Sequence, residues 1–224
     1  MKMIRTPLIL LFSLMFVGCV SLPPSHDYTE FRNADPQSII VMPPINHTTE
    51  VIAPYSLMAQ VVPPIAESGF YVFPVALVDQ TFKNNGVTVA QDAQNISFDK
   101  LHEIFGADSA LYLTIEEYGT SYAIISSNTV VTVSGKLVDL RTGVTLWQHQ
   151  ATASSAESRS SGGQGLVGAL VEAAANQIIE TVSDTGFDIA AITSNRLLSS
   201  QGYNGLLHGP RSPQYGQPVL SEKK

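Results

Sequence analysis

A single cysteine, Cys19, is the residue with the most distinctive chemistry in this sequence. One thiol cannot form a disulfide within its own chain, so it must have another role or another partner. It closes an amino-terminal segment that starts with Lys2 and Arg5 and continues through residues 8–17, of which nine are apolar. This order is typical of a secretory signal peptide. As a helix the apolar stretch would span about 15 Å, against about 30 Å for the hydrocarbon core of a bilayer, so it is too short for a transmembrane helix.

The stretch MFVGC at residues 15–19 resembles the lipobox of bacterial lipoproteins, in which the cysteine is diacylated and becomes the new amino terminus. Phe16 stands where that family usually has Leu. The resemblance implies that residues 1–18 are removed and that lipid on Cys19 anchors the chain in a membrane. Several acyl chains make such an anchor effectively permanent. Val20, rather than Asp, follows the cysteine, and by resemblance to the usual sorting rule this favours the outer membrane.

Two other patterns could carry chemistry. Gly163, Gly165 and Gly168 match G-x-G-x-x-G, which cradles phosphate at a helix amino terminus. That fingerprint needs the first strand of a βαβ unit before it, whereas an antiparallel strand is predicted here, so we interpret the segment as a flexible loop entering a helix. Glu116 and Glu117 could form an acid–base pair. Neighbouring residues on a regular strand point to opposite faces, so we expect no convergence.

The remaining candidates for catalysis or metal binding are five histidines. No two of them have the i, i+4 spacing of a helical metal site, and no Cys/His cluster exists, so a structural metal site is not expected. His47 lies in the loop after the first predicted strand, where sites in parallel α/β units form, but we interpret it as a surface residue. No G-x-S-x-G nucleophile motif occurs. We predict a non-enzymatic protein with no catalytic residues, no metal and no cofactor. The histidines are His26, His47, His102, His149 and His208.

Composition and charge narrow the class of protein. The 224 residues are 44% hydrophobic and 14% charged, which suits one folded domain with tails. The formal charge of −7 becomes −9 once the two cations of the signal peptide are removed. An acidic chain without a basic stripe argues against nucleic acid as a partner, because that affinity depends on Lys and Arg at phosphates. It also argues against adsorption to an anionic membrane by charge alone.

The first half of the mature chain has the pattern of a βαβ unit. Residues 38–42 and 71–75 are apolar runs suited to buried parallel strands. Between them, residues 55–68 carry apolar side chains at helical spacing, and Pro63-Pro64 should kink or interrupt that helix. Two shorter helices are predicted next, over residues 76–85 and around residues 98–105, ending at Gly86 and Gly106 respectively.

From residue 110 the period of the pattern changes. Val131, Val133 and Leu137 alternate with polar residues, which predicts an antiparallel meander with one solvated face. Apolar residues then recur every four positions over 166–182, which predicts a long helix against the sheet. The fold class is therefore α/β, a mixed sheet with helices packed on it. We predict four segments, namely a signal peptide (residues 1–18), a lipidated tether (19–37), a periplasmic α/β domain (38–193) and a flexible C-terminal tail (194–224).

Five runs give the chain a specific resemblance. They include GFYVFPVALVD at residues 69–79 and KLVDLRTG at residues 136–143, and the others lie at residues 53–56, 105–112 and 119–122. They resemble a family of bacterial lipoproteins catalogued as domain of unknown function 799, over roughly residues 38–191. The hairpin at residues 136–143, followed by Leu146 and Trp147, is also similar to a wider group. That group includes the curli-secretion lipoprotein, lipoprotein activators of peptidoglycan synthases and the amino-terminal domain of the Tol-system propeller protein.

The resemblance implies an outer-membrane lipoprotein, facing the periplasm, that binds other envelope proteins in an assembly or export complex. It implies a curli-secretion-like lipoprotein and a second small lipoprotein as partners, and a homo-oligomer remains open. We expect the exposed edge strands of the meander to be the docking surface, since unpaired edges accept added strands. Two alternatives remain, an activator of a peptidoglycan synthase and a domain that binds a small ligand or nucleotide.

Overall fold

The computed structural model describes residues 26–122, 127–160 and 185–219 of the chain. The helices in this part of the chain are α1 (Thr29–Ala34), α2 (Ala53–Glu67), α3 (Val75–Asn84), α4 (Ala90–Gln94), α5 (Phe98–Phe105), α6 (Ser155–Ser160) and α7 (Thr185–Leu198). The strands are β1 (Ser38–Val41), β2 (Ile45–Asn46), β3 (Tyr71–Val72), β4 (Ser109–Tyr122), β5 (Ser127–Asp139) and β6 (Thr145–Ser154). Among these helices, none is long and apolar enough to cross a bilayer.

The strands form one mixed sheet in the order β3-β1-β4-β5-β6, and the short β2 also pairs with β4. β1 is parallel to both β3 and β4, whereas β4, β5 and β6 form an antiparallel meander. Ile39, Ile40 and Val41 are fully buried, as expected for a strand covered on both faces. The predicted α/β class, with a βαβ unit followed by a meander, is confirmed. The segment 166–182, where we predict a long helix, lies outside the described residues, and the C-terminal helix of the structure is α7.

Two apolar clusters lie on opposite faces of the sheet. The larger cluster packs α2 and α7 against all three long strands and includes Leu57, Val133 and Trp147. The smaller cluster packs α3, α4 and α5 against β1, the start of β4 and the end of β5, and includes Phe82 and Leu101. Pro63-Pro64, where we predicted a kink or an interruption, do not interrupt α2, which continues through both prolines to Glu67. The helices therefore cover one face along its length and the other face only in part.

A tight turn joins β5 to β6. Asp139 Oδ1 accepts the backbone N–H groups of Arg141 and Thr142, both at 2.8 Å. Burial raises the pKa of the Asp139 carboxyl, but these hydrogen bonds outweigh it and hold the pKa below its usual value. Gly143 has φ +73°, in the left-handed region, and a Cβ there would lie 2.9 Å from the Phe98 ring. These local hydrogen bonds and the conformation of Gly143 together form the turn at residues 139–143.

The structure corrects the prediction of a flexible tail from residue 194. α7 continues to Leu198, and the segment 199–219 then packs on the larger cluster through Leu206, Leu207 and Val219, which are at most 8% exposed. Trp147 Nε1 donates to the carbonyl of Asn204 at 2.7 Å, which fixes this segment to β6. The high glycine content of this segment predicts a flexible backbone. Here glycine instead permits close packing of two backbone segments, since a Cβ on Gly209 would lie 2.7 Å from a backbone atom.

The structure also corrects the extent of the tether. Residues 26–37 are part of the folded domain, because Tyr28 and Phe31 are buried in the larger cluster. Tyr28 Oη donates to the carbonyl of Gly205 at 2.6 Å, and the backbone N–H of His26 donates to Asn204 Oδ1 at 3.0 Å. The polar composition of this stretch hid two aromatic anchors, and the partner of the Tyr28 hydroxyl lies about 180 residues away in sequence. Any tether therefore ends before His26.

Candidate functional site

The part of the sheet that the helices leave uncovered carries polar side chains, and we call it the open face. Its residues are exposed or half-buried and alternate with core residues along three strands. They are Glu116 and Glu117 on β4, Thr132, Ser134 and Lys136 on β5, and Gln148, Gln150 and Thr152 on β6. β4, β5 and β6 extend well beyond β1 and β3. The helices on this side, α3, α4 and α5, cover only the region beside β1, the start of β4 and the end of β5, so the rest of the three long strands stays uncovered.

The two glutamates of β4 occupy the same face, which corrects the sequence expectation. The pairing register of β4 and β5 shifts between Ile115 and Glu117, so Glu116 is an extra residue in a β-bulge. Ser134 Oγ donates to Glu116 Oε1 at 3.1 Å, and Thr132 Oγ1 donates to Glu117 Oε2 at 3.4 Å. The rule that neighbours alternate assumes a regular strand, and the bulge removes that condition.

A hydrogen-bond network links this face across the strands. His47 Nδ1 lies 3.0 Å from Glu116 Oε2, and both side chains are more than a third exposed. Gln150 Nε2 donates to Ser134 Oγ at 3.1 Å, and the hydroxyls of Thr132 and Thr152 lie 3.0 Å apart. His47 is thus a surface residue, as interpreted from the sequence. The network aligns polar groups on a wet surface, which suits recognition more than catalysis.

The outer edge of β6 is blocked at its two ends and open between them. The ring Nε2 of His26 lies 3.2 Å from the carbonyl of Leu146, and Arg196 Nη1 donates to the carbonyl of Thr152 at 2.7 Å. The backbone N–H of Ser154 donates to the Glu157 carboxylate at 2.9 Å. Backbone groups that point outward alternate along an edge strand, so the N–H and C=O groups of residues 148 and 150 also point outward. Within the described ranges, these two N–H and two C=O groups make no hydrogen bond. We call residues 148–150 the open edge.

Two histidines lie where the chain enters the domain beside β6. The His26 ring packs edge-to-face on Tyr28 at 4.8 Å, and the His149 ring packs on Trp147 at 6.3 Å. Burial lowers the pKa of His149, and the nearby charge of His26 lowers it further. His149 is therefore neutral at pH 7 and can pack in its half-buried position without a counter-ion.

Two candidates from the sequence are not tested by the structure. Cys19 and the glycines at 163–168 lie outside the described residues, so the lipid anchor remains a prediction. Among the residues that the structure does describe, no group of three or more His, Cys, Asp or Glu side chains could hold a metal ion. Among the tyrosines, Tyr118 is buried, while Tyr55 and Tyr71 are exposed beside Lys83 and Arg211 respectively.

Sequence reasoning missed a groove of about 480 Å³ on the open face. Tyr112, Lys136 and Gln148 form one row across β4, β5 and β6, because they are paired neighbours in the register of the sheet. Tyr112 is buried, and Lys136 Nζ lies 5.4 Å from the centroid of its ring. A tyrosine within an otherwise apolar strand was the signal that could have pointed to this position.

Comparisons with known proteins agree with the sequence and the fold. The family model described as "Putative lipoprotein GNA1162-like" matches residues 26–211. "Putative lipoprotein NMB1124/NMB1162" of Neisseria meningitidis is 43% identical over 192 residues, covering 86% of this chain and 88% of that protein. The crystal structure of lipoprotein GNA1162 from Neisseria meningitidis is 44% identical, with a TM-score of 0.53, and the match covers 64% of this chain and 98% of that one.

A more distant likeness is to a PelC dodecamer from Paraburkholderia phytofirmans, which is 16% identical with a TM-score of 0.39. That match covers 58% of this chain and 76% of the other, and it is too distant to bear on assembly. The match over residues 26–211 and the 43% identity to a full-length relative are both decisive for family membership. This chain belongs to the GNA1162-like family of lipoproteins.

Proposed function

We propose that this chain is a non-enzymatic lipoprotein of the outer membrane that binds an extended segment of another envelope protein at the open edge of β6. Membership of a lipoprotein family implies anchoring in the cell envelope. The proposed anchor is lipid on Cys19, and the proposed orientation is toward the periplasm. Confinement to a membrane surface would raise the effective concentration of the domain toward partners in that membrane.

The observation that supports protein binding is the partial blocking of β6. A free edge strand offers unpaired N–H and C=O groups to any extended chain, and folded proteins usually block such edges. Here His26 and Arg196 occupy the two ends, while the four backbone groups of residues 148 and 150 stay open within the described residues. A gap of this length accepts a short strand in a fixed register, and the blocked ends limit how far that strand can slide.

Gln150→Pro tests the edge directly. Proline removes the outward N–H of residue 150 but leaves the inward ladder to β5 unchanged, because the backbone groups of this residue point away from β5. Gln150→Ser is the matched control, since it changes the side chain and keeps the N–H. Intact cells carrying tagged versions would be crosslinked, and the proteins recovered from solubilised envelopes identified. We expect Gln150→Pro to lose the partner, Gln150→Ser to keep it, and both to retain the wild-type circular dichroism.

Recovery of the same partner at wild-type yield with Gln150→Pro would exclude the open edge. The identity of the recovered protein separates the remaining possibilities. A curli-secretion-like lipoprotein or a second small lipoprotein would support an export complex, whereas a peptidoglycan synthase would favour an activator role. Recovery of this chain alone would indicate a homo-oligomer built through the same edge.

A further inference from the structure

We infer that the groove above β4 and β5 binds a carboxylate carried on a peptide. This carboxylate forms an ion pair with Lys136 and accepts a hydrogen bond from the Tyr112 hydroxyl. This inference deepens the proposed function, because it names the chemistry of a partner segment on the same face of the domain. It rests on the row of paired residues that crosses the sheet to the open edge. The residues that line the groove include Gln94, Tyr112, Thr114, Ser134, Lys136 and Gln148.

The Tyr112 hydroxyl supplies the first observation. Its oxygen is buried and has no hydrogen-bond partner within the part of the chain that the structure describes. Burial raises the pKa of this phenol to about 12, so the group stays protonated at neutral pH and keeps a proton that it can donate to an acceptor. Buried polar groups in folded proteins are almost always hydrogen-bonded, so an unpaired hydroxyl under a groove indicates a missing acceptor.

Lys136 supplies the second observation. Its ammonium group lies over the Tyr112 ring, 5.4 Å from the centroid, and forms no ion pair among the described residues. The two acids on the same face are already held by other hydrogen bonds, Glu116 by Ser134 and His47 and Glu117 by Thr132. A lysine without a counter-ion beside a buried donor is complementary to an acceptor that carries a negative charge.

The shape of the groove favours a carboxylate carried on a peptide over a small free anion. Gln94 closes one side by donating to the backbone carbonyls of Pro43 and Leu113, at 2.9 and 3.1 Å. The other side opens at Gln148, where the open edge of β6 begins. A peptide could therefore place an acidic side chain in the groove while its backbone continues along the sheet. Both contacts would then use one surface of the domain.

Peptide titrations of the full chain in detergent test this inference. The probes are Ac-Gly-Glu-Gly-amide, its neutral isostere Ac-Gly-Gln-Gly-amide, and acetate. We expect the glutamate peptide, and not the glutamine peptide, to shift the backbone amide resonances around residues 112–114, 134–136 and 148. Charge-assisted hydrogen bonds contribute enough that Lys136→Met should weaken this binding about tenfold or more. Lys100→Met, which removes an exposed lysine of α5, should leave the affinity unchanged.

Tyr112→Phe separates ligand binding from folding. The substitution removes only the unpaired hydroxyl, so the free protein should melt at the wild-type temperature or slightly above it, while affinity for the glutamate peptide falls about threefold or more.

Equal binding of the glutamine peptide, or unchanged binding by Lys136→Met, would overturn the inference. Acetate binding as tightly as the glutamate peptide would overturn the assignment to a peptide. None of these measurements uses the Gln150 variants, so failure here is distinct from failure of the open edge.

Discussion

The two halves of one sheet face differ in how they are covered. Around β1 and the start of β4, helices α3, α4 and α5 bury Ile40, Ala110 and Leu101 completely. Further along β4 and β5 the same face carries Glu116, Ser134 and Lys136 and remains open to solvent. The cause is strand length, since β4 has 14 residues and β1 has four. Strands that extend past their covering helices must become polar on that side, which produces a surface suited to recognition.

The largest expected effect lies on the opposite, fully covered face. Trp147→Ala should lower the free energy of unfolding by about 3–5 kcal/mol, because it leaves a cavity and also removes the hydrogen bond to Asn204. Urea denaturation measures the change. Trp147→Phe keeps most of the ring and should lose clearly less. Equal stability of Trp147→Ala and wild type would contradict the packing of the larger cluster.

Leu101→Ala probes the covered half of the second face. Leu101 is fully buried on α5, so the substitution should lower the free energy of unfolding by about 2–3 kcal/mol. Leu77 on α3 is 65% exposed, and Leu77→Ala is the matched control, with an expected change within about 0.5 kcal/mol. Similar losses for the two variants would mean that the smaller cluster contributes little to stability.

A pH titration of stability probes the half-buried His149, whose ring packs on Trp147 at the covered face. The pKa of His149 is lowered in the folded state, so the unfolded state binds its proton more readily as the pH falls. Its contribution to stability is complete above about pH 6.5, the ordinary histidine pKa, and is lost as the pH falls from there toward the folded pKa. We expect the free energy of unfolding to decrease between pH 7 and pH 5. His149→Gln should flatten that decrease, and an identical slope in the variant would exclude His149 as the cause.

The smallest effect is expected on the open face itself. Thr152→Val removes a hydroxyl that lies 3.0 Å from that of Thr132, but the site is exposed and valine favours strands. The free energy of unfolding should change by no more than about 0.5 kcal/mol. A loss above 1.5 kcal/mol would show that the polar network stabilises the fold and that the open face is not primarily a recognition surface.

Sequence patterns predicted the elements that are determined by residues close together in the sequence. The βαβ unit follows from two apolar runs around a helical period, and the turn at residues 139–143 follows from Asp139, Thr142 and Gly143, which act within five residues. The α/β class was therefore predictable, and so was a polar face on the meander, because alternation along β5 shows in the sequence. Membership of a lipoprotein family was also predictable from the matching runs.

The features that were missed depend on contacts between distant residues. Tyr28 donates to Gly205 and Tyr215 Oη donates to Asp35, each across about 180 residues, and a local pattern cannot predict such pairs. The bulge at Glu116 was missed because Glu116 and Glu117 were treated as part of a regular strand, although two successive acids interrupt the alternation of apolar and polar residues between Ile115 and Tyr118. The groove was missed because it needs the register of three strands, which brings Tyr112 beside Lys136.

The bonds around His26 have a mechanical consequence. Tension on the chain ahead of this residue would load three contacts at once, to Asn204, Leu146 and, through Tyr28, Gly205. Two of these contacts lie on the C-terminal segment and the third lies at the start of β6, so the pull would load this end of the domain before the middle of the meander. Under such tension the contacts of His26 and Tyr28 would break first. The rest of the sheet would keep its structure while these contacts break and re-form.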